Sequence, residues 1–259
     1  MASQNFPACL AQILKHEGGL STIRSDPGNW TGGKVGAGTL KGTNFGISAA
    51  SYPGEDIRGM TTARAGEIYR RDYWVPVRGD ELPPGIDLTA FDPAVNSGVS
   101  RGARWLQQAL GVTADGKVGP VTIKAAQSVG DGVPVIQRAH AIRLGWLRGL
   151  GTFSTFGTGW MRRVAENEAA AVAMHTRSAD RLEVERGRAA SASNQQTGAA
   201  AGSGAAGGAG LSDMADLPDL LVYGVVIFAA VAAVLLISRA RVNRARAKAY
   251  SLKAKELDQ

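Results

Sequence analysis

From Leu220 to Ser238 the chain runs 19 residues without a charge, rich in Val, Ala, Leu and Ile. A helix of that length matches the thickness of a bilayer's hydrocarbon core. The rest of the chain must therefore build its own core without it. A basic cluster follows at once, in Arg239, Arg241, Arg244, Arg246 and Lys248. By the positive-inside rule this flank is expected on the cytoplasmic side. Residues 239–259 hold seven Lys/Arg against Glu256 and Asp258, so five of the net +7 charges lie there and residues 1–238 carry only +2. The basicity belongs to a tail beyond a membrane span, which excludes a nucleic-acid partner for the folded body.

Upstream of the span, Ala189 to Gly210 is nearly all Ala, Gly and Ser. Such a tract buries too little apolar surface to fold alone and is expected to act as a flexible tether. Met1 to Leu14 lacks a basic start and its apolar run is broken by Gln4, Asn5 and Gln12, so it does not read as a secretory signal. Cys9 is the sole cysteine, which rules out a disulfide within the chain, and its place on an apolar face predicts a small buried hydrophobe. Apolar spacing predicts helices over Phe6 to Glu17, Thr61 to Trp74, Leu88 to Val95, Arg101 to Leu110, Val121 to Val129, Pro134 to Leu147 and Trp160 to about Arg186. The glycine-dense stretch Gly28 to Gly46 has room for a small hairpin. The expected fold is mainly α, a helical domain with a glycine-rich loop or small hairpin, plus a C-terminal transmembrane helix.

Glu17 carries the chemistry. It ends the apolar stripe of Phe6, Cys9, Leu10, Ile13 and Leu14 and is followed by Gly18 and Gly19. A carboxyl shielded from water on one side holds its proton more readily, as a general acid must. Asp26 follows nine residues on, in Ser25-Asp26-Pro27-Gly28-Asn29, and then Thr43-Asn44-Phe45-Gly46-Ile47. A carboxyl at a helix end beside a glycine-rich excursion bearing an Asp and a Thr suits glycoside cleavage. One acid protonates the leaving oxygen, and a second group steadies the oxocarbenium-like transition state or positions a water. Asp26 also fits a turn before proline, and Thr43 a cap or turn. No His/Cys/Asp cluster has metal-ligand spacing, and no cofactor is expected.

These runs, His16-Glu17-Gly18-Gly19, Asp26-Pro27 and Thr43-Asn44-Phe45-Gly46-Ile47, resemble glycoside hydrolase family 108, whose members are N-acetylmuramidases found as phage endolysins and in bacterial secretion. Ile68-Tyr69-Arg70-Arg71-Asp72-Tyr73-Trp74 is similar to the family's Tyr–Trp helix, and Ala90-Phe91-Asp92-Pro93-Ala94-Val95-Asn96-Ser97-Gly98 to the segment joining its halves. Trp105 to Gly111, Asp115 to Pro120 and Gly159 to Val164 resemble the accompanying peptidoglycan-binding region. The resemblance spans residues 5–185 and implies a lysozyme-like helical domain with Glu17 as the acid. It departs over Thr31 to Gly42, which looks inserted, and at Leu20, where an aromatic residue is usual.

Trp30, Asn44, Tyr52, Tyr73, Trp74 and Asn96 are expected to line the sugar groove. Aromatic faces suit sugar C–H surfaces and amides suit hydroxyl and acetamido groups, whereas Tyr69, Trp105 and Trp146 read as core. The expected organisation is a catalytic region over 1–95, a helical peptidoglycan-binding region over 96–187, a linker over 188–215, the span over 217–238 and a basic cytoplasmic tail over 239–259. The resemblance thus implies a muramidase acting on peptidoglycan glycan strands and held to inner-membrane lipid. The alternatives are a lytic transglycosylase and a non-catalytic wall-binding protein on the same fold. With the tail cytoplasmic, the catalytic region is expected on the periplasmic side, or in the cytoplasm until a phage membrane-lesion protein releases it.

Overall fold

The computed structural model describes residues 5–209 and 219–259. Among the described residues, nine α-helices run in the order α1 (Phe6–Leu14), α2 (Thr62–Tyr69), α3 (Ile86–Ser97), α4 (Val99–Leu110), α5 (Pro120–Gln127), α6 (Val133–Arg148), α7 (Phe153–Thr176), α8 (Ala179–Ala209) and α9 (Asp219–Leu257). One antiparallel hairpin, β1 (Thr43–Asn44) and β2 (Ile47–Ser48), lies between α1 and α2. The mainly α expectation holds. The chain divides into two compact units, Met1–Trp146 and Leu147–Gln259. The boundary expected after residue 95 falls inside α3, and residues 96–146 belong to the first unit.

In the first unit, local chemistry starts and stops the helices. The Thr61 side chain caps α2 by accepting from the Arg64 N–H, proline opens α1 and α5, and Gly111 closes α4 in the left-handed region. Phe6, Trp74, Phe91 and Tyr69 form the aromatic core, with Trp74 5.2 Å from both Phe6 and Phe91. The α3–α4 crossing is tight. A Cβ on Gly102 would stand 2.8 Å from the Ala94 nitrogen, so only glycine fits there. The Asp115-Gly116-Lys117 turn is stitched to α4 by Gln107, whose amide donates to the Asp115 carboxylate and accepts from the Gly116 N–H.

In the second unit the structure departs from the sequence expectation twice. The Ala/Gly/Ser tract is helical through Ala209, and the remainder of the expected linker, residues 210–215, lies outside the described residues. Alanine favours helix and glycine costs about 1 kcal/mol each, so the tract needs outside support. It finds that support in α9. Ser193 donates to the Ala240 carbonyl at 3.1 Å and Asn243 to Gln196 at 3.1 Å, with Ala189 and Ala200 buried. The tail over 239–259 is also no separate segment. It continues α9 and packs on α7, where Arg246 (2.7 Å) and Tyr250 (2.6 Å) both donate to one oxygen of buried Glu168. Placing the tail and α7 on opposite faces of a membrane would strand that carboxylate, at a cost of about 3–5 kcal/mol.

Asp87 ties α1 to the start of α3. It accepts from the Asn5 amide at 2.7 Å, from the Gly85 and Leu88 N–H groups, and from Cys9, which is fully buried. Burial pushes the Asp87 carboxyl up to about 6, against the lowering effect of those donors. The fold therefore favours the protonated acid. Stability from this group is full below its ordinary value near 4 and is lost as pH rises through about 6. We expect the unfolding free energy to fall by about 3 kcal/mol across that window relative to Asp87→Asn, at 1.36 kcal/mol per pH unit. Denaturant titrations of both proteins from pH 4 to 7 test it, and parallel curves would refute it.

Candidate active site

Glu17 lies three residues past α1 rather than on it. Two single-turn bonds, from His16 N–H to Ile13 O (2.9 Å) and Glu17 N–H to Leu14 O (3.3 Å), carry the chain to it. The backbone then returns to pair Ser21 with Thr43, with N–H to O distances of 2.8 and 2.9 Å, so the Glu17 segment flanks the β1–β2 hairpin. The hairpin closes through Phe45 and Gly46, with φ of +49° and +74°, the two positive values that a type I′ turn needs. Gly46 matters beyond its φ. A Cβ there would stand 2.7 Å from Glu17 Oε2 and 2.6 Å from Tyr69 Oη. The carboxyl of Glu17 and the phenol of α2 thus converge over a backbone stripped of side chain. Tyr69 is buried and donates to the Phe45 carbonyl at 2.8 Å, which holds the turn in place.

At the open end of the same hairpin stand Asp26, Asn29, Thr43 and Ser48. The exposed Asp26 carboxylate accepts from the Gly28 N–H at 2.8 Å and caps the short 3-10 turn Pro27–Asn29. Gly28 in turn reaches the turn just past β2, where its carbonyl accepts from the Ala50 N–H at 3.0 Å. Thr43 donates its hydroxyl proton to Asn29 Oδ1 at 2.7 Å, and Asn29 Nδ2 donates to the Ile23 carbonyl at 3.0 Å. Asn29 is fully buried, so this amide is fixed and the lone pairs of Thr43 Oγ1 remain for another donor. From Gly46 to Ser48 is two strand residues, about 7 Å. The candidate site has a carboxyl at one end of the hairpin and, at the other, the Thr43 hydroxyl held by Asn29, with Asp26 capping the turn that leads to Asn29.

Tyr73 and Tyr52 extend the wall beyond Tyr69. The Tyr69 and Tyr73 rings are 5.8 Å apart, and Tyr52 donates to Asp72 at 2.9 Å. Burial pushes the Tyr52 phenol up, and its hydrogen bonds with Tyr73 and Asp72 add to the shift. Asp72 is held below its ordinary range, chiefly by its hydrogen bonds with Arg71 at 2.6 and 2.8 Å. Trp30 is half-buried, its indole donating to the Arg24 carbonyl at 2.9 Å. It opens the excursion expected to be inserted, which folds back by pairing Trp30 with Leu40 and Thr31 with Thr39.

Three residues expected in the groove do something else. Trp74 has no exposed surface. Its ring is core between Phe6 and Phe91 and its indole donates to Asp80 at 2.8 Å. Asn44 is buried and donates to the Ile57 carbonyl at 3.2 Å, a loop tie. Asn96 is exposed, but its side-chain oxygen accepts from Arg143 at 3.2 Å, beside the fully buried Arg143–Asp92 ion pair that joins α6 to α3. No contact among the described residues brings Asn96 to Glu17. Conversely, the sequence reading passed over Asn29 and placed Tyr69 in the core without its polar end. Among the described residues no group of three or more His, Cys, Asp and Glu could hold a metal ion.

Comparison with known proteins places this geometry. The family described as Glycosyl hydrolase 108 matches residues 10–98, which contain Glu17, both ends of the hairpin and the tyrosine wall. The solved structure of SagA from Brucella abortus is similar at 34% identity, over 68% of this chain and 98% of that one, with a TM-score of 0.56. Comparison with curated proteins gave no match. The chain belongs to glycosyl hydrolase family 108 and is a glycoside hydrolase of the N-acetylmuramidase, lysozyme-like type.

Proposed function

We propose that the enzyme cleaves the glycan strand of peptidoglycan with Glu17 as the general acid, and that it is a membrane-held, endolysin-type muramidase. The observation that carries this reading is the convergence of Glu17 and Tyr69 on the bare backbone of Gly46. A flat sugar chain can approach there, and the carboxyl can deliver its proton to the glycosidic oxygen. Thr43, with its proton given to Asn29, accepts a hydrogen bond from the attacking water. Asp26 supplies negative charge on the same side. Tyr52, Tyr73 and Trp30 support the sugars. Trp105 and the turn at Asp115–Lys117 belong to the first unit, and a wall-binding role for the helices from residue 96 onward remains part of this proposal.

The apolar part of α9 supports the anchor. Val226–Leu257 is long and apolar enough to cross a bilayer by length and composition, and Ile227, Phe228 and Val234 are more than 60% exposed. Because the tail packs on α7, we place both on one face, which the basic cluster marks as cytoplasmic. α8 then enters the bilayer beside α9 as a hairpin, and its small residues allow close packing. The enzyme is then stored on the cytoplasmic side, and a phage-type membrane lesion gives it access to the wall.

Replacing Glu17 with Gln should lower wall cleavage by about 10² to 10⁴-fold with little change in folding. Turbidity loss of outer-membrane-stripped cells measures the first, and product analysis separates a hydrolase from a transglycosylase, which alone leaves an anhydro sugar. Full lysis by Glu17→Gln would remove the acid from its role. Thr43→Val should cost about 10²-fold in kcat and about 1–3 kcal/mol by leaving Asn29 Oδ1 unpaired, while Thr43→Ser stays near wild type. Asp26→Asn keeps the cap on Gly28, so its Tm should hold while activity falls by about 10²-fold. Unchanged activity in that variant would reduce Asp26 to a turn residue. For the anchor, full-length protein should resist alkaline carbonate extraction, and tags at both termini should escape protease added outside intact spheroplasts. Cleavage of only the N-terminal tag would restore the opposite-face arrangement.

A further inference from the structure

We propose that the groove between α7 and the basic half of α9 is a binding site for the headgroup of an anionic phospholipid. This rests on the membrane-anchor reading above. The groove lies within the second unit and encloses a cavity of about 590 Å³. Arg162 and Glu166 line it from α7, and Arg241, Lys248 and Leu252 from α9, over a floor of Met161, Ala245 and Ala249. Three cations face one carboxylate. Arg162 stands 3.9 Å from Glu166, whereas no ion pair engages Arg241 or Lys248 among the described residues, and both are exposed. A phosphodiester with net negative charge satisfies this excess, and a glycerol backbone suits the apolar floor.

Position supports the same occupant. Arg241 lies three residues past Ser238, about 4.5 Å along the helix from the end of the uncharged stretch. The groove therefore opens at the depth of the headgroups when α9 is in the bilayer. The start of α7 is aromatic at the same end. Trp160 sits 6.1 Å from Phe153 and 5.9 Å from Phe156, and Phe156 is 54% exposed. Aromatic side chains of this kind favour the interface between lipid and water. A choline headgroup would set its ammonium against Arg241 and Lys248, so the groove selects against zwitterionic lipid. A nucleic-acid phosphate would find an apolar floor unsuited to sugar and base.

Full-length protein in dodecyl maltoside micelles, given dioleoylphosphatidylglycerol or dioleoylphosphatidylcholine at equal mole fraction, tests the site by native mass spectrometry. We expect phosphatidylglycerol adducts at least tenfold in excess. The triple variant Arg162→Gln, Arg241→Gln, Lys248→Gln should lose about 10²-fold of that retention, since each basic residue near a membrane surface contributes about fivefold. Should the triple variant fail to fold, Glu166→Gln removes the competing carboxylate and should tighten phosphatidylglycerol retention. Equal retention of the two lipids, undiminished retention by the triple variant, no gain from Glu166→Gln, or full competition by millimolar inorganic phosphate would each overturn the assignment. Carbonate partition separates the two readings. Wild type that stays in the membrane without lipid preference leaves the anchor standing, and wild type that washes off removes the anchor itself.

Discussion

The candidate active site depends on one missing atom group, the side chain at Gly46. Glu17 comes from the end of α1, Tyr69 from α2, and the turn from the hairpin between them, and all three occupy the volume a Cβ would fill. Any other residue would force the carboxyl and the phenol apart and would also resist the turn's φ of +74°. Tyr69 closes the arrangement by bonding the carbonyl just before that glycine. The elements that hold α1 and α2 in register then support the proposed catalysis at one remove. Asp87 fixes α1 to α3, and Trp74 and Phe91 fix α2 to both. A glycosidase needs its acid held against a broad, flat substrate, and a bare backbone flanked by a packed phenol gives the proposed acid, Glu17, a rigid seat without blocking the approach.

Much of this was legible in the residues and some was not. The helices α3 to α6 followed from apolar spacing and from Gly and Pro punctuation, because these elements bury one face and have strong local stops. Glu17, Asp26 and Thr43 could be singled out from their surroundings, but what joins them is long-range. The path from Glu17 to Gly46 to Tyr69 spans more than fifty residues and carries no periodic signal. Tyr73 and Trp74 show the limit most clearly. They are neighbours of similar chemistry, and the single turn of π-helix over Arg70–Trp74 sends one toward the tyrosine wall and the other into the core. Asn44 and Asn29 show the same limit for amides. Both are buried, and which of them reaches the site follows from the ladder, not from composition.

The Ala/Gly/Ser tract failed as a tether for a related reason. Its sequence has no apolar stripe to reveal a partner, and a glycine-rich segment alone would stay unfolded. Against α9 the lack of bulk becomes an advantage, since small residues let two helix backbones approach and gain dispersion contacts along their length. Helicity in α8 is thus a property of the pair. Reading one strand of such a pair without the other gives the wrong state.

The tail follows a stricter logic. Glu168 is nearly fully buried on α7 in a run of alanines, and a lone carboxylate there would be costly. Arg246 and Tyr250 both bond the same oxygen, from positions one helical turn apart on α9. Burial works against the Arg246 charge, but Glu168 and Tyr250 more than offset it, so the guanidinium is held above its ordinary value. Removing the tail exposes this carboxylate and unseats both donors together, so the tail cannot detach residue by residue. The coupling is confined to the second unit. The contacts that build the cleft, from Glu17 through Gly46 to Tyr73, all lie within the first. The proposed membrane attachment and the proposed cleft therefore draw on separate sets of buried groups, so on this reading a change in the second unit can alter where the enzyme is held without altering the bond it cleaves.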